Sequence, residues 1–70
     1  MDDKVMKMNN YRELIRAKRK KLGISQTKLA ERVHITQPYL YEIESGRKTP
    51  SVDLLIALCE ALDIKLFPDE

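Results

Sequence analysis

The stretch SQTKLAERVHITQPYLYEIESG, residues 25–46, decides the fold. Ser25 and Thr36 each stand just ahead of a short apolar-periodic segment, where a hydroxyl accepts an N–H of the first helical turn. His34-Ile35 breaks the pattern between them. The expectation is a short helix with Leu29, Ala30 and Val33 inward, a break, and a helix over residues 36–45 ending near Gly46. Pro38 falls in the first turn of that second helix, where a missing N–H costs little.

On a wheel of about 100° per residue from Gln37, Leu40 and Ile43 fall near 300° and 240° and face the core. Gln37, Pro38, Tyr41, Glu42 and Ser45 spread over the opposite side, from about 0° to 140°. Apart from the proline, this outer face carries hydrogen-bonding side chains, and Gln37 sits at its N-terminal end.

Upstream, Asn10 and Glu13 have the spacing of a capping box, and the helix they open is expected to run to Leu22 and stop at Gly23. Leu14, Ala17, Lys18 and Leu22 are expected on its inner side, with Arg12, Arg16 and Lys20 elsewhere. Downstream, Arg47 to Pro50 is a basic connector. Ser51 caps a fourth helix that has Asp53 in its first turn and ends near Leu62. Strand signals are nearly absent. The fold class is therefore all-α, a compact bundle of four to five helices. Residues 1–9 form an expected N-terminal arm, 10–64 the domain, and 65–70 a C-terminal tail.

Seventy residues make one domain with a core of marginal size. The single cysteine, Cys59, excludes an internal disulfide, and the single histidine, His34, has no second ligand beside it, so neither metal nor cofactor is expected. An unpaired thiol in an apolar stretch suits a reducing cytoplasm. Met1-Asp2-Asp3 opens acidic with no apolar run of a secretory leader behind it, and the run Leu54 to Cys59 is far too short to span a bilayer. No nucleophile–base pair, glycine-rich phosphate loop or metal cluster is present, so no enzyme and no small-molecule ligand is expected.

Net charge is only +2, but its distribution is uneven. Residues 11–50 hold ten Lys/Arg against four Asp/Glu, while the rest of the chain holds three against seven. Such an imbalance fits a solvated helix surface, and it also fits one side suited to a polyanion. Glutamine can bond an adenine edge bidentately, glutamate can accept from cytosine N4, and a tyrosine ring can pack on a thymine methyl. Gln37, Pro38, Tyr41 and Glu42 are therefore the candidate base-reading row. Gln26, at the start of the preceding helix, and Arg47 and Lys48, beyond the far end, are candidate phosphate contacts. Thr36, Tyr39 and Ser45 complete that set. Double-stranded DNA is the expected partner.

The specific parts SQTKLA, TQxxLYEIExG and the basic turn with TPS resemble the lambda-repressor-like, Xre/Cro-type helix-turn-helix family over about residues 11–64. That resemblance implies a transcriptional regulator, usually a repressor, acting as a homodimer on a palindromic operator. It also implies that Gln26 touches phosphate and supports Gln37, and that Arg19 pairs with Glu44. The wheel puts Glu44 at about 340°, beside the core edge, which agrees. His34 stands where the family usually has glycine, and Glu42 where many members carry a basic or amide side chain.

Apolar residues of the fourth helix cover an arc of about 260°, far wider than one buried face requires. Either the tail residues Ile64, Leu66 and Phe67 fold back on it, or a homodimer is built on Leu54, Ala57, Ala61, Leu66 and Phe67. An alternative from another class stays open on Glu42 and this arc: an adaptor or antitoxin-like module that keeps the fold and docks a protein.

Overall fold

A serine or threonine hydroxyl starts three of the helices. In the computed structural model, which describes residues 10–65, Ser25 Oγ accepts from the Lys28 amide at 3.0 Å, Thr36 Oγ1 from Tyr39 at 3.3 Å and Ser51 Oγ from Leu54 at 3.1 Å. All three capping residues have the extended backbone that lets a side chain fold over the first turn. The helices are α1 (Tyr11–Lys21), α2 (Gln26–Arg32), α3 (Gln37–Glu44) and α4 (Val52–Leu62). Among the described residues there is no strand, and the all-α class holds with four helices. The arm over residues 1–9 and most of the tail, with Leu66 and Phe67, lie outside the described residues.

The first helix departs from the expected cap. Asn10 occupies the N-cap position at φ −132° and ψ 19°, and its side chain makes no cap hydrogen bond. That backbone is not extended, so the reciprocal capping box with Glu13 does not form.

All four helices end in the same way. Each closes with one amide bonded back three residues and the next bonded back five: Gly23 to Lys20 and Ile24 to Arg19, His34 to Glu31 and Ile35 to Ala30, Gly46 to Ile43 and Arg47 to Glu42, Asp63 to Glu60 and Ile64 to Cys59. This is the Schellman pattern, whose turning residue takes a left-handed backbone. The four turning residues have φ of 71°, 63°, 85° and 59°. Three of the residues that follow are isoleucines, Ile24, Ile35 and Ile64, and each packs against the core. The ends of α1, α2 and α4 thus also place an apolar anchor, whereas Arg47 follows the turn of α3.

Ile15, Leu29, Leu40, Ile43, Leu58, Cys59 and Leu62 are fully buried, one each from α1 and α2, two from α3 and three from α4. A fully buried aliphatic side chain contributes about 1.5–3 kcal/mol, so these residues hold the bundle. α2 packs on α3, and α1 bridges α3 and α4. The inner side of α1 differs from the one expected. Tyr11, Ile15 and Arg19 are buried there, at four-residue spacing, while Ala17 and Leu22 are exposed and Leu14 and Lys18 lie at the margin. A buried arginine reads as a surface residue until its partner, 25 residues away, is brought beside it. On α4, Leu55, Leu58, Cys59 and Leu62 face inward, Leu54, Ala57 and Ala61 are half-buried on one flank, and Val52 and Ile56 remain 68% and 37% exposed on the other.

Candidate nucleic-acid interface

The candidate interface is built around a buried carboxylate. Glu44, on the inward edge of α3, is 8% exposed, as is Arg19 from α1. Arg19 Nε donates to Glu44 Oε2 at 2.8 Å and Nη2 to Oε1 at 2.9 Å, a bidentate pair, while Nη1 donates to the Ile24 carbonyl at 3.0 Å. This ties the end of α1 to α3 with two charge-assisted bonds.

From that carboxylate a polar chain runs outward. Gln26 Nε2 donates to Glu44 Oε1 at 3.0 Å, and Gln37 Nε2 donates to Gln26 Oε1 at 2.8 Å. A carboxylate only accepts, so Gln26 must turn its NH₂ to Glu44 and its oxygen to Gln37. Gln37 must then turn its own NH₂ to Gln26. The result is a glutamine of fixed orientation at the outer N-terminal end of α3, with its oxygen and one N–H not used in the chain. Those are the two groups a bidentate contact with an adenine edge uses.

The rest of the outer face varies. Pro38 and Ser45 are exposed, and Tyr41 is 48% exposed. Ser45 Oγ donates to the Glu42 carbonyl at 3.2 Å. Glu42 is half-buried and its carboxylate lies 3.5 Å from Lys48 Nζ, which also stands 5.8 Å from the centre of the Tyr39 ring. The unusual acid on this face is thereby neutralised from the connector. Tyr39 packs against the core beneath Lys48, and Thr36 and Arg47 are exposed at opposite ends of α3. Gly46 turns the chain between them at φ 85°, and a Cβ there would lie 2.9 Å from Arg12 Nε.

Arg16 and Lys20 were not among the residues the sequence singled out, yet they line an open cleft beside Tyr41 and Gln26. Their signal is the row Arg12, Arg16, Lys20, at intervals of four along α1. Leu54, Ala57 and Ala61, expected from the sequence at a dimer interface, lie on α4. His34 is an exposed turn residue at φ 63°, and among the described residues no three His, Cys, Asp or Glu side chains gather as a metal site. Among them, too, no helix is long and apolar enough to cross a membrane.

The sequence model of the helix-turn-helix family matches residues 15–67. The chain belongs to the lambda-repressor-like, Xre/Cro-type helix-turn-helix family. It is 45% identical over 51 residues to an HTH-type transcriptional regulator of Methanothermobacter thermautotrophicus, an overlap covering 73% of this chain and 74% of that one. It is 37% identical over 54 residues to the transcriptional regulator ClgR of Mycobacterium tuberculosis, covering 77% of this chain and 48% of ClgR. A second HTH-type transcriptional regulator of Mycobacterium tuberculosis is 38% identical over 50 residues, 71% of this chain and 36% of the relative. The chain thus corresponds to most of the first relative and to less than half of the other two. No solved structure matches it significantly.

Proposed function

We propose that the chain is a sequence-specific DNA-binding transcriptional regulator that sets α3 in the major groove. The observation that carries this is Gln37: a glutamine on the outer N-terminal end of the second helix of the motif, oriented through Gln26 by a buried carboxylate. Preorganised polar side chains at this place are what direct readout needs. In this reading Gln37, Pro38, Tyr41 and Glu42 meet base edges. Glu42 shares its carboxylate between Lys48 and a cytosine amino group. Gln26, Thr36, Tyr39, Ser45, Arg47 and Lys48 hold the flanking backbone, with Tyr39 acting by seating Lys48.

The unit is residues 10–64, flanked by an arm over 1–9 and a tail over 65–70. It works in the cytoplasm as a homodimer on a palindromic operator, with half-sites about one helical turn apart. Its interface is Leu54, Ala57 and Ala61 with Leu66 and Phe67 of the tail, and the support is the apolar area α4 leaves outside its own core. The repressor role rests on family resemblance alone, and no catalysis, cofactor or small-molecule ligand belongs to this reading. The adaptor reading rests on the exposed Val52 and Ile56 and on Glu42, whose carboxylate lies 3.5 Å from Lys48.

Selection of bound sites from a random duplex library tests the proposal. A palindromic winner preferred about a thousandfold over random duplex is expected. No enrichment sinks it. Sedimentation of Leu54→Asp beside the parent tests the dimer: a parent that sediments as a monomer with and without DNA removes that part.

A further inference from the structure

The Gln37 amide is held in one of its two orientations. Its Nε2 lies 2.8 Å from Gln26 Oε1, and Gln26 Nε2 lies 3.0 Å from Glu44 Oε1. Turned over, Gln37 would bring its own oxygen to the Gln26 oxygen, two acceptors with no hydrogen between them. Gln26 cannot turn in its place, because its oxygen would then face a carboxylate that is buried and only accepts. Both glutamines are half-buried, and Glu44 is itself fixed by two bonds from Arg19.

This orientation decides which base edge Gln37 can meet. The amide keeps its oxygen and one N–H, an acceptor beside a donor. Among single bases in the major groove only adenine offers the matching pair, N7 as acceptor beside the N6 amino group as donor. Guanine offers two acceptors, N7 and O6, and would set one of them against the Gln37 oxygen. The adenine amino group has two hydrogens: one pairs with thymine, and the other points into the groove. A methyl group on N6 leaves a single hydrogen, which base pairing claims, so the methyl takes the groove side. It removes the donor and sets an apolar group against the Gln37 oxygen. A freely turning amide could offer N–H to N7 and move its oxygen aside. Gln37 cannot do so without breaking its bond to Gln26.

We propose that α3 reads the methylation state of DNA: the chain binds a site whose adenine opposite Gln37 is unmodified and rejects the same site carrying N6-methyladenine there. The proposal rests on the base-reading role of Gln37 and adds the chemical signal that regulates it. Gln37 is the one amide in the row Gln37, Pro38, Tyr41 and Glu42, so the effect belongs to a single adenine rather than to every adenine of the site.

The test is anisotropy titration of the selected duplex with its adenines replaced one at a time by N6-methyladenine, using the parent chain and Gln37→Ala. Circular dichroism checks that the variant folds. The parent is expected to lose about ten- to a hundredfold in affinity at one adenine, the worth of one bidentate contact. Gln37→Ala is expected to bind that methylated duplex and its unmodified counterpart equally. A parent that prefers one sequence yet is indifferent to methylation at every adenine, or binds a methylated duplex more tightly, overturns the proposal and leaves the DNA reading standing. A parent loss that Gln37→Ala retains in full also overturns it, because the methyl group then acts through the duplex or another side chain. A parent that prefers no duplex has failed as a DNA reader, and the proposal falls with that reading.

Discussion

Glu44 organises this molecule by what it cannot do. It accepts and never donates, so every group around it is forced into one orientation, from Arg19 through Gln26 to Gln37. Removing one partner of a buried pair leaves an uncompensated charge. Arg19→Met is expected to cost about 3–5 kcal/mol, a large part of the stability of a domain this small, as read by urea unfolding. Arg19→Met/Glu44→Leu is expected to recover most of that loss. The same double variant leaves Gln26 without its acceptor, so its preference among duplexes falls while its stability returns. Glu42 gives an opposite pair of effects. Glu42→Gln removes a negative charge from the outer face of α3, and titration is expected to show tighter binding to random duplex. Discrimination at one G·C pair falls about tenfold in the same variant, the loss of a single base contact. Equal changes on all sequences would show that Glu42 serves only to hold Lys48.

At the scale of the helix, the shared ending is the main structural device. A left-handed residue costs about 1–2 kcal/mol unless it is glycine, and α2 and α4 use His34 and Asp63 there. Glycine returns about 0.5–1 kcal/mol of that gain as chain entropy. His34→Gly is therefore expected to stabilise by roughly 0.5–1 kcal/mol and raise the Tm by several degrees, with DNA binding unchanged. A lower Tm would mean that the histidine side chain does more than turn the chain. On α4, burial raises the Cys59 thiol above its ordinary pKa of 9.0. The unfolded chain then ionises first, so stability is unaffected below about pH 9 and declines as pH rises beyond it. Cys59→Ala is expected to remove that decline in unfolding curves taken between pH 8 and pH 10.

The starts of α2, α3 and α4 could be read directly, because Ser25, Thr36 and Ser51 are local signals, and Gly23 and Gly46 marked two of the ends. The inner face of α1 could not. Its buried row includes Arg19, and an arginine reveals its burial only through a partner distant in sequence. The cleft stayed out of view for the same reason: α1 supplies its cations and α3 part of its other wall, and only the packing of the two helices brings them together. The outer face of α3 was legible because one helix carries it.

For the whole molecule, the charge imbalance along the chain becomes an imbalance in space. Gln37, Tyr41, Lys48, Arg16 and Lys20 belong to α1, α3 and the connector, whereas α4 carries only the acids Asp53 and Glu60 among its charged residues. A polyanion is drawn to the first group and turned from the second. In the proposed function Gln37, held by Gln26 and Glu44, reads a base. Gln37→Ala on the selected duplex, and on duplexes changed one base pair at a time, tests it most directly. The fold and the salt slope are expected to stay unchanged, while discrimination at one base pair falls by about ten- to a hundredfold. A Gln37→Ala chain that keeps the parent's preference at every position would contradict it.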